Sequence, residues 1–349
     1  MTKRKKKKVK YLQWFPLFWA IITVVSYLGP LLNPKVTGIA IAILLLYPLV
    51  LGLNFLGFLF YLQRGKFWYA LFPLILIIAG WPIHSKLVPL GASSSVPLKT
   101  DFKLVTFNAN YGYGLEGEND SNGDLVHLLS EGRKPDIWCL QEHTANLNHW
   151  ISSRVKYKNL IKKENYRTAI YTNFEVIDWG AILFGNYENS CLWADLVLPD
   201  AGAIRVYNLH LQSNRVTDQS KKLAKDGLDW NSPTFQSFRI ILKNYSKASA
   251  MRVDQVEELL QHLESSPHPV IITGDINDVP ISYTYRKLSR GRTDSFLKAG
   301  KGLGTTYVGA IPLLRIDCVF LDPSLRTVKH EVIPGEFSDH KPVVVWFRK

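Results

Sequence analysis

Acidic, amide and imidazole side chains follow several apolar runs of this sequence, at the points where the runs end. Asp275 and Asn277 come shortly after the β-branched run Val270–Ile272 and a glycine. Such a run is typical of a strand buried on both faces, and residues two apart project to the same side of an extended chain. The pair therefore offers a proton acceptor and a neutral donor aimed at one point. Read alone, an Asx-rich turn that closes the strand explains the segment equally well.

Six other side chains of the same kinds stand in or near strands predicted elsewhere in the chain: Asn108, Glu142, His210, Asp317, Asp339 and His340. Each has a simpler explanation by itself, because a glutamate at a strand end is usually solvated and a lone histidine is usually structural. Together they supply carboxylates and an amide for a hard divalent cation, two imidazoles and an Asp-x-Asn pair. Metal-assisted hydrolysis of a phosphoester requires this set of groups.

The elements that must position these residues lie between positions 101 and 349. Strand-like runs recur there with turn signals between them, and helical periodicity is limited to places such as Gly123–Ser130 and Asp254–Leu263. Many strands with a few long connections predict two packed sheets with helices outside them. Besides the run from Val270, the predicted strands are Phe102–Asn108, Asp136–Gln141, Arg167–Tyr171, Ala181–Phe184, Ser190–Leu198, Ile204–Leu211, Arg315–Leu321 and Lys341–Phe347.

Charge divides the 349-residue chain near position 100. The first 100 residues hold 12 of the 42 Lys and Arg residues and no Asp or Glu, which leaves 30 basic and 29 acidic residues in the remainder. The formal net charge of +13 is therefore a property of the N-terminal part and does not by itself indicate nucleic-acid binding by the rest. Three scattered cysteines, Cys139, Cys191 and Cys318, argue against a zinc site or a disulfide scaffold, and Cys139 and Cys318 are expected to be buried thiols.

Three apolar runs, at residues 11–32, 36–62 and 67–83, follow a tail with seven positive charges. Crossing a bilayer takes roughly 20 apolar residues, so the sequence predicts a membrane anchor over residues 1–85 with about three transmembrane helices. A signal peptide is the alternative, but no small-residue cleavage site follows the first run. The loop charges predict a cytoplasmic tail in the cytoplasmic (inner) membrane, so three crossings put the domain at 101–349 on the periplasmic or extracellular side. Residues 86–100 are typical of a linker.

The order of the polar motifs resembles that of the endonuclease/exonuclease/phosphatase superfamily, which includes DNase I-like nucleases, inositol-polyphosphate 5-phosphatases and neutral sphingomyelinases. The resemblance covers residues 101–349, and the N-terminal region resembles the membrane anchor of some bacterial members. It implies an α+β fold, a four-layer α/β/β/α sandwich of the DNase I-like type with the site at one rim of the sheets. The motifs are Phe107-Asn108, Leu140-Gln141-Glu142, His210-Leu211, Gly274-Asp275-Ile276-Asn277-Asp278-Val279-Pro280, Arg315-Ile316-Asp317 and Ser338-Asp339-His340.

The same resemblance implies a metal site. Glu142 would be the principal ligand of Mg²⁺, with Mn²⁺ as the alternative ion, and Asn108 and Asp339 would complete or support the first shell. This agrees with the preference of Mg²⁺ for oxygen ligands and for one or two carboxylates.

Catalytic roles are implied in the same way. Asp275 would orient or deprotonate the attacking water, and Asn277 would donate to a phosphate oxygen. His210 and His340 would hydrogen-bond the phosphoryl group, while Asp317 would fix the tautomer of His340.

The sequence thus predicts a membrane-anchored, Mg-dependent phosphoesterase that hydrolyses phosphodiester or phosphomonoester bonds. The predicted partners are a phosphoester substrate, with a lipid headgroup or nucleic acid among the candidates, and the membrane. An extracytoplasmic nuclease acting on DNA or RNA and a non-catalytic membrane binding module on the same fold are the alternatives. Residues 214–250, rich in Lys and aromatic residues, form either a substrate lid or a surface loop. Arg252, at the start of the next predicted helix, is interpreted as surface charge.

Overall fold

The computed structural model describes residues 18–112, 125, 133–214, 233–309, 313–335 and 337–349. The predicted helix Gly123–Ser130 lies outside these residues apart from Leu125. Positions 215–232 of the predicted lid also lie outside them, and its later part is helical.

The N-terminal region, residues 18–85, consists of helices joined by short turns. Its longest element runs from Ile41 to Gln63, and this is the one helix in the described part of the chain that is long and apolar enough to cross a membrane. Only 28% of its most apolar window is buried, which is typical of a membrane span or a signal sequence rather than of a soluble core helix. The helices are α1 (Phe18–Leu31), α2 (Pro34–Thr37), a 3₁₀ segment (Gly38–Leu46), α3 (Tyr47–Gln63), α4 (Phe67–Ala79) and α5 (Trp81–His84).

The prediction of three transmembrane helices is wrong for the described residues, because two of the three runs form shorter helices. α4 has 13 residues and ends before Gly80, after which Pro82 lies in the first turn of a separate helix. At 1.5 Å per residue it reaches about 20 Å, whereas a bilayer core measures about 30 Å. α1 turns into a 3₁₀ helix at Gly29, and the predicted start of its run lies outside the described residues.

Two six-stranded sheets form the region after position 101. The strands of the first sheet are β1 (Phe102–Asn108), β2 (Ile137–Gln141), β3 (Asn159–Lys162), β4 (Ala169–Thr172), β11 (Arg326–Val332) and β12 (Val343–Arg348). Those of the second sheet are β5 (Glu175–Leu183), β6 (Ser190–Leu198), β7 (Gly202–His210), β8 (Val270–Asp275), β9 (Thr293–Asp294) and β10 (Asp317–Leu321). Their spatial orders are β11-β12-β1-β2-β4-β3 and β5-β6-β7-β8-β10-β9. All neighbours are antiparallel except the pairs β1/β2 and β7/β8.

Alternating apolar side chains of the strands fill three layers. The sheets pack face to face through residues such as Leu104 and Val206, which are fully buried. The outer face of the second sheet packs on Val256, and that of the first sheet packs on Leu147. These two residues belong to helices on opposite sides of the sandwich, so the predicted four-layer α/β/β/α architecture is confirmed. The helices of this region are α6 (Ala145–Arg154), α7 (Pro233–Glu264), α8 (Tyr283–Ser289) and α9 (Ser295–Ala299).

The two parallel pairs bring predicted site residues to one rim. Asn108 ends β1, and its register partner in β2 is followed at once by Glu142. His210 ends β7 opposite Asp275, which ends β8. β10 runs antiparallel to β8, so its first residue, Asp317, pairs with Asp275. The two carboxyl ends of each parallel pair therefore lie at the same level, as the βαβ geometry requires.

Most predicted strands are present, with ends that differ by a few residues. β3, β9 and β11 were not predicted. β11 shows the reason, because this edge strand consists mainly of charged and polar residues and has only Val328 and Val332 as apolar ones, so it offers no apolar run. The helix predicted at Asp254–Leu263 is the second half of α7. All three cysteines are free and buried, which confirms the prediction made for two of them.

Residues 86–100 contain no helix or strand, but they differ from a free tether. The backbone N–H of Ser93 donates to the carbonyl of Lys298 at 3.0 Å, and that of Ser95 donates to the carbonyl of Val328 at 2.9 Å. The segment therefore lies along the sandwich.

Candidate active site

A cleft of about 420 Å³ opens at the rim where these strand ends meet. Seven of the eight predicted site residues line it, and the eighth, Asp317, contacts His340 without lining the cleft. The seven are Asn108, Glu142, His210, Asp275, Asn277, Asp339 and His340. The motifs quoted from the sequence thus converge on one place.

Gly274 allows β7 and β8 to approach each other immediately before Asp275. Its φ is +126°, and a Cβ atom at this position would come within 2.1 Å of the carbonyl oxygen of Leu209. A side chain is excluded both by this backbone conformation and by the contact, so the sequence requires glycine here. The consequence is that Asp275 is only 1% exposed at the floor of the rim.

The buried Asp275 carboxylate accepts three hydrogen bonds. The donors are the backbone N–H of Asn277 at 2.8 Å and the side-chain amides of Asn277 and Asn108 at 3.0 and 3.1 Å. Burial raises the pKa of Asp275 to about 6, and Asp317 adds to this while His340 opposes it. A carboxylate of this kind is poised to exchange a proton near neutral pH.

The imidazole of His340 is tied to Asp317. Its Nδ1 lies 2.9 Å from Oδ2 of Asp317, and its Nε2 lies 3.8 Å from Oδ2 of Asp275. The ring of Tyr307 packs edge-on against it at a centroid distance of 5.3 Å. Burial alone would lower the pKa of His340, but Asp317 and Asp275 raise it well above its usual value. The two carboxylates therefore favour the protonated form of the ring.

His210 is fixed through one ring nitrogen and presents the other to the cleft. Nδ1 lies 2.7 Å from the carbonyl oxygen of Glu188, to which it donates. Nε2 lies 3.6 Å from Oε1 of Glu142 and 3.9 Å from Oδ2 of Asp275. This nitrogen is buried and has no hydrogen-bond partner among the residues that the structure describes. A buried polar atom of this kind usually marks the position of a ligand or a water molecule.

Asn108 links the two halves of the rim. Its Nδ2 donates to Oε1 of Glu142 at 3.2 Å and to Oδ2 of Asp275 at 3.1 Å. Its Oδ1 accepts from the backbone N–H of Asn110 at 3.1 Å, so one further lone pair remains for an ion. The amide thus holds a carboxylate of each sheet in a fixed relation.

The side chain of Asn277, which was predicted to donate to a phosphate oxygen, makes its hydrogen bonds within the protein in this structure. Its Nδ2 donates to the carbonyl of Leu211 at 3.0 Å and to Asp275 at 3.0 Å, so both amide hydrogens are engaged. In this arrangement the side chain positions Asp275. Asp339 lines the cleft with Oδ1 accepting from the hydroxyl of Ser338 at 3.2 Å.

Four residues of the cleft other than glycine have left-handed backbone: Asn110, Tyr111, Glu142 and Asn277, with φ of +43°, +56°, +51° and +53°. This conformation is uncommon outside glycine and concentrates at functional sites. Sequence reasoning missed Asn110 and Tyr111, because nothing in their residue types marks a left-handed backbone. It also missed Glu188, which acts on His210 through its carbonyl and leaves no signal in the side chain.

Arg252 is a structural residue, and its interpretation as surface charge is wrong. The side chain is fully buried within α7. Its guanidinium lies 3.3 Å from Oδ2 of Asp278 and donates to the carbonyl of Gln212 at 2.8 Å. Asp278 also accepts from the hydroxyl of Tyr245 at 2.7 Å. This network fixes the loop that carries Asn277.

The donor set of the cleft fits a divalent cation. Carboxylates including Glu142, Asp275 and Asp339 line it, whereas no Lys or Arg of the described residues does. Ligand atoms of Asp275, Asp317 and His340 all lie within 4.8 Å of one another. Oxygen donors with excess negative charge are the ligands that Mg²⁺ and Mn²⁺ prefer.

Comparison with known families agrees with this site. Residues 105–340 match the model of the endonuclease/exonuclease/phosphatase family, and this segment is more than half of the chain. This chain belongs to that family. As a member of the endonuclease/exonuclease/phosphatase family it is a metal-dependent phosphoester hydrolase, which confirms the predicted reaction class. Residues 9–87 match a second model, a domain of unknown function (DUF8431).

Solved structures of the endonuclease/exonuclease/phosphatase fold resemble the chain at low sequence identity. A D. rerio TDP2 complexed with a single-strand DNA product is 17% identical, with a TM-score of 0.51 over 72% of this chain and 100% of that one. A mannosyl-6-phosphatase from Bacteroides thetaiotaomicron is 16% identical, with a TM-score of 0.51 over 71% and 100%. A functionally unknown protein from Enterococcus faecalis is 14% identical, with a TM-score of 0.52 over 71% and 99%. At these identities the likeness shows the fold alone, and no curated protein matches the chain.

Proposed function

We propose that this protein is a membrane-anchored phosphoesterase that hydrolyses phosphodiester or phosphomonoester bonds with the help of Mg²⁺, or Mn²⁺ as the alternative. The observation that carries the proposal is the geometry around Asp275. A desolvated carboxylate with a pKa of about 6 lies 3.8 and 3.9 Å from the Nε2 atoms of His340 and His210, in a cleft that also contains Glu142. A base, two imidazoles and a separate carboxylate are the groups that hydrolysis of a phosphoester uses.

Asp275 acts on the water in this mechanism. Above pH 6 the group is ionised, and its hydrogen bonds from Asn108 and Asn277 keep its oxygens in fixed positions. It accepts a proton from the water as the water oxygen bonds to phosphorus and the bond to the leaving alcohol breaks. The departing oxygen takes up a proton in exchange, so the products are a phosphate and a neutral alcohol. Because the carboxylate has few solvent contacts, its basicity is higher than that of an exposed aspartate.

The two histidines act on the phosphoryl oxygens. His340 is protonated and donates from Nε2, while Asp317 keeps Nδ1 protonated and the ring oriented. His210 presents Nε2, which lacks a partner among the described residues, to the same space. Since Nδ1 donates to Glu188, Nε2 donates to a phosphoryl oxygen only when the ring is protonated. Donors fixed before the reaction stabilise negative charge as it develops on the phosphoryl group.

Glu142, Asn108 and Asp339 are the residues we propose for the cation. Bound there, the ion supplies Lewis-acid stabilisation of the phosphoryl charge. The compact group Asp275, Asp317 and His340 suits an ion less well. His340 and Asp317 already bind each other at 2.9 Å, and the neighbouring carboxylates raise the pKa of His340 and so favour its protonated form. A protonated imidazole cannot ligate a metal.

The membrane part of the proposal rests on exposed apolar side chains. α1, α3 and α4 all present them, including Ile21 (58% exposed), Leu56 (60%) and Ile75 (58%). Large apolar side chains exposed on three neighbouring helices are unfavourable in water and favourable in a bilayer. Together with the basic tail, they support insertion in the cytoplasmic membrane.

The test uses the purified full chain in detergent. Release of 4-nitrophenol from bis(4-nitrophenyl) phosphate and from 4-nitrophenyl phosphate is measured with Mg²⁺, with Mn²⁺ and with EDTA. We expect metal-dependent turnover of at least one ester and loss of that turnover in EDTA. Turnover that EDTA does not affect would contradict the metal dependence. Absence of turnover on both esters and on DNA would favour the non-catalytic binding module. Faster hydrolysis of DNA, with a steep salt dependence, would favour the nuclease.

A further inference from the structure

The active-site cleft has an apolar wall as well as a polar rim. Leu45, Val279, Leu314 and Ile316 line the same cavity as Asp275 and the histidines. Val279 and Ile316 are buried, whereas Leu45 and Leu314 are partly exposed to the cavity or its mouth. Chemistry at a phosphate needs none of these side chains. Val279 belongs to an apolar cluster and Leu45 and Leu314 pack against it, and the faces that Leu45 and Leu314 leave exposed are available to an apolar part of the substrate.

Leu45 belongs to the N-terminal region and not to the sandwich. It lies near the end of the 3₁₀ segment, two positions before α3 begins at Tyr47. Leu45 therefore lies within the first two turns of the helix of membrane-spanning length, Ile41–Gln63. The cleft mouth and the start of that helix are parts of one continuous surface.

Apolar packing fixes this segment on the sandwich. We call this set of residues the junction cluster: Ile41, Ala42, Leu44 and Tyr47 from the N-terminal region with Tyr245, Val279 and Ile281 from the sandwich. Every member is at most 7% exposed, so the contact excludes water. Val279 follows directly after the Asp275-x-Asn277-Asp278 loop, which places the junction cluster beside the catalytic loop.

Polar links reinforce the same junction. The guanidinium of Arg286 donates to the carbonyl of Pro30 at 2.7 Å, and that of Arg315 donates to the carbonyl of Lys86 at 3.1 Å. Arg315 is itself buried and held by Asp294 at 2.9 Å. The wall residue Leu45 thus has a defined position relative to the catalytic rim.

We propose that the apolar wall binds a long aliphatic chain esterified to the reacting phosphate, so that the substrate is a phosphoester lipid taken from the membrane. The inference rests on the function proposed above and specifies its substrate class. The polar rim receives the phosphate, and Leu45 with Leu314 contacts the first part of the chain. Water adds to phosphorus, the bond to one alcohol breaks, and that alcohol leaves with a proton. The lack of Lys and Arg along the described lining disfavours a polyanionic nucleic acid here.

Two phosphodiesters that differ only in chain length test this proposal: ethyl 4-nitrophenyl phosphate and hexadecyl 4-nitrophenyl phosphate. They have the same charge and the same leaving group, so their difference reports on the chain. The full-length protein is assayed in mixed micelles with Mg²⁺. We expect kcat/KM for the hexadecyl ester to exceed that for the ethyl ester by about 10-fold or more, because several methylenes are removed from water.

Leu45→Asn is expected to lower the hexadecyl-to-ethyl ratio of kcat/KM by about 10-fold, since it replaces an apolar contact by a polar one. Leu314→Asn tests the wall from the side of the sandwich and is expected to lower the same ratio. Leu303→Asn is the matched control, because Leu303 is 48% exposed and does not line the cleft. It is expected to leave the ratio unchanged.

The outcomes separate this proposal from the previous one. Equal kcat/KM for the two esters in the wild type, or an unchanged ratio in both Leu45→Asn and Leu314→Asn, overturns the lipid inference while metal-dependent hydrolysis still stands. Faster cleavage of a single-stranded oligonucleotide than of either ester also overturns it. Absence of metal-dependent turnover on both esters and on the oligonucleotide rejects the proposed function itself.

Discussion

The two sheets contribute unequal halves to one cleft. Each supplies a parallel strand pair with a carboxylate at its end, but the Glu142 side chain is 17% exposed and the Asp275 side chain only 1%. Solvent therefore competes for Glu142, whereas the desolvated Asp275 has a pKa raised to about 6. From this difference we infer a division of labour, in which the first sheet holds the cation and the second transfers the proton.

The largest effect is expected for Asp275→Asn. Loss of the base should lower kcat by about 10³-fold or more. The melting temperature at pH 7 should be unchanged or higher. The pKa of Asp275 is raised in the folded state, so its ionisation removes stability as the pH rises from about 4 to about 6, and the amide avoids this loss. Activity and thermal unfolding are measured on the same preparation.

Asp195→Asn is the matched control. Asp195 is also buried, but it pairs at 2.6 Å with Arg205, which lies five residues before the end of β7. Removing one partner of a buried ion pair is expected to cost about 3–5 kcal/mol. This variant should lose stability and keep its kcat, the reverse of Asp275→Asn. If both variants lose stability alike, Asp275 is a structural carboxylate and the division of labour fails.

Glu142→Gln is expected to act through the cation. We expect a loss of about 10²-fold in kcat/KM at low Mg²⁺, partly restored at high Mg²⁺, because the ion keeps its other oxygen ligands. Glu188→Gln is the control in the same cleft, since Glu188 uses its backbone carbonyl to hold His210. An unchanged Mg²⁺ dependence in Glu142→Gln would remove Glu142 from the metal site.

Asp317→Asn should lower kcat/KM by a smaller factor, about 10- to 100-fold, because Asp317 acts through His340. The decisive measurement is the pH profile. Asp317 raises the pKa of His340, so in the variant this pKa falls and the imidazolium is lost at lower pH. The alkaline limb of kcat/KM should therefore move to lower pH. A loss of activity with an unmoved limb would indicate a purely structural role.

The contrast between rim and N-terminal region shows what sequence can predict. Strand ends in parallel pairs meet at one edge, so residues that follow β-branched runs could be brought together by reasoning about strands alone. The resemblance added the individual roles, including those of Glu142, the two histidines and Asp317. Hydrogen bonding could not be predicted in this way: the amide of Asn277 donates to Asp275 from a residue with left-handed backbone, φ +53°, which the sequence does not reveal.

The N-terminal region was harder to predict because an apolar run has the same composition whether it faces lipid or protein. Hydropathy correctly marked the stretch ending at Gln63, but it could not show that Ile41 and Leu44 pack on Tyr245 instead of lipid. Nor could it detect that Gly80 stops α4 short of a full span. Both features depend on tertiary contacts and local backbone geometry, which composition does not record.

The acid limb of the pH profile of kcat/KM tests directly whether Asp275 accepts the proton. Asp275 must be ionised to accept a proton, so kcat/KM should fall about tenfold per pH unit below about pH 6. This limb should be present in Glu188→Gln and in the wild type alike. A limb near pH 4, the usual range of an exposed aspartate, would contradict the desolvated environment of Asp275.

The smallest effect is expected for Asn277→Gly. Glycine tolerates the left-handed backbone at this position, so the substitution isolates the lost side-chain amide. Asp275 keeps the backbone hydrogen bond at 2.8 Å and loses the one at 3.0 Å from Nδ2. With one donor fewer the ionised form is less stable, so the acid limb should move to higher pH while kcat at its plateau falls by about 10-fold or less. If the limb stays in place and the affinity for phosphate falls, Asn277 contacts the substrate as the family resemblance implied, and its amide must turn away from Asp275 on binding.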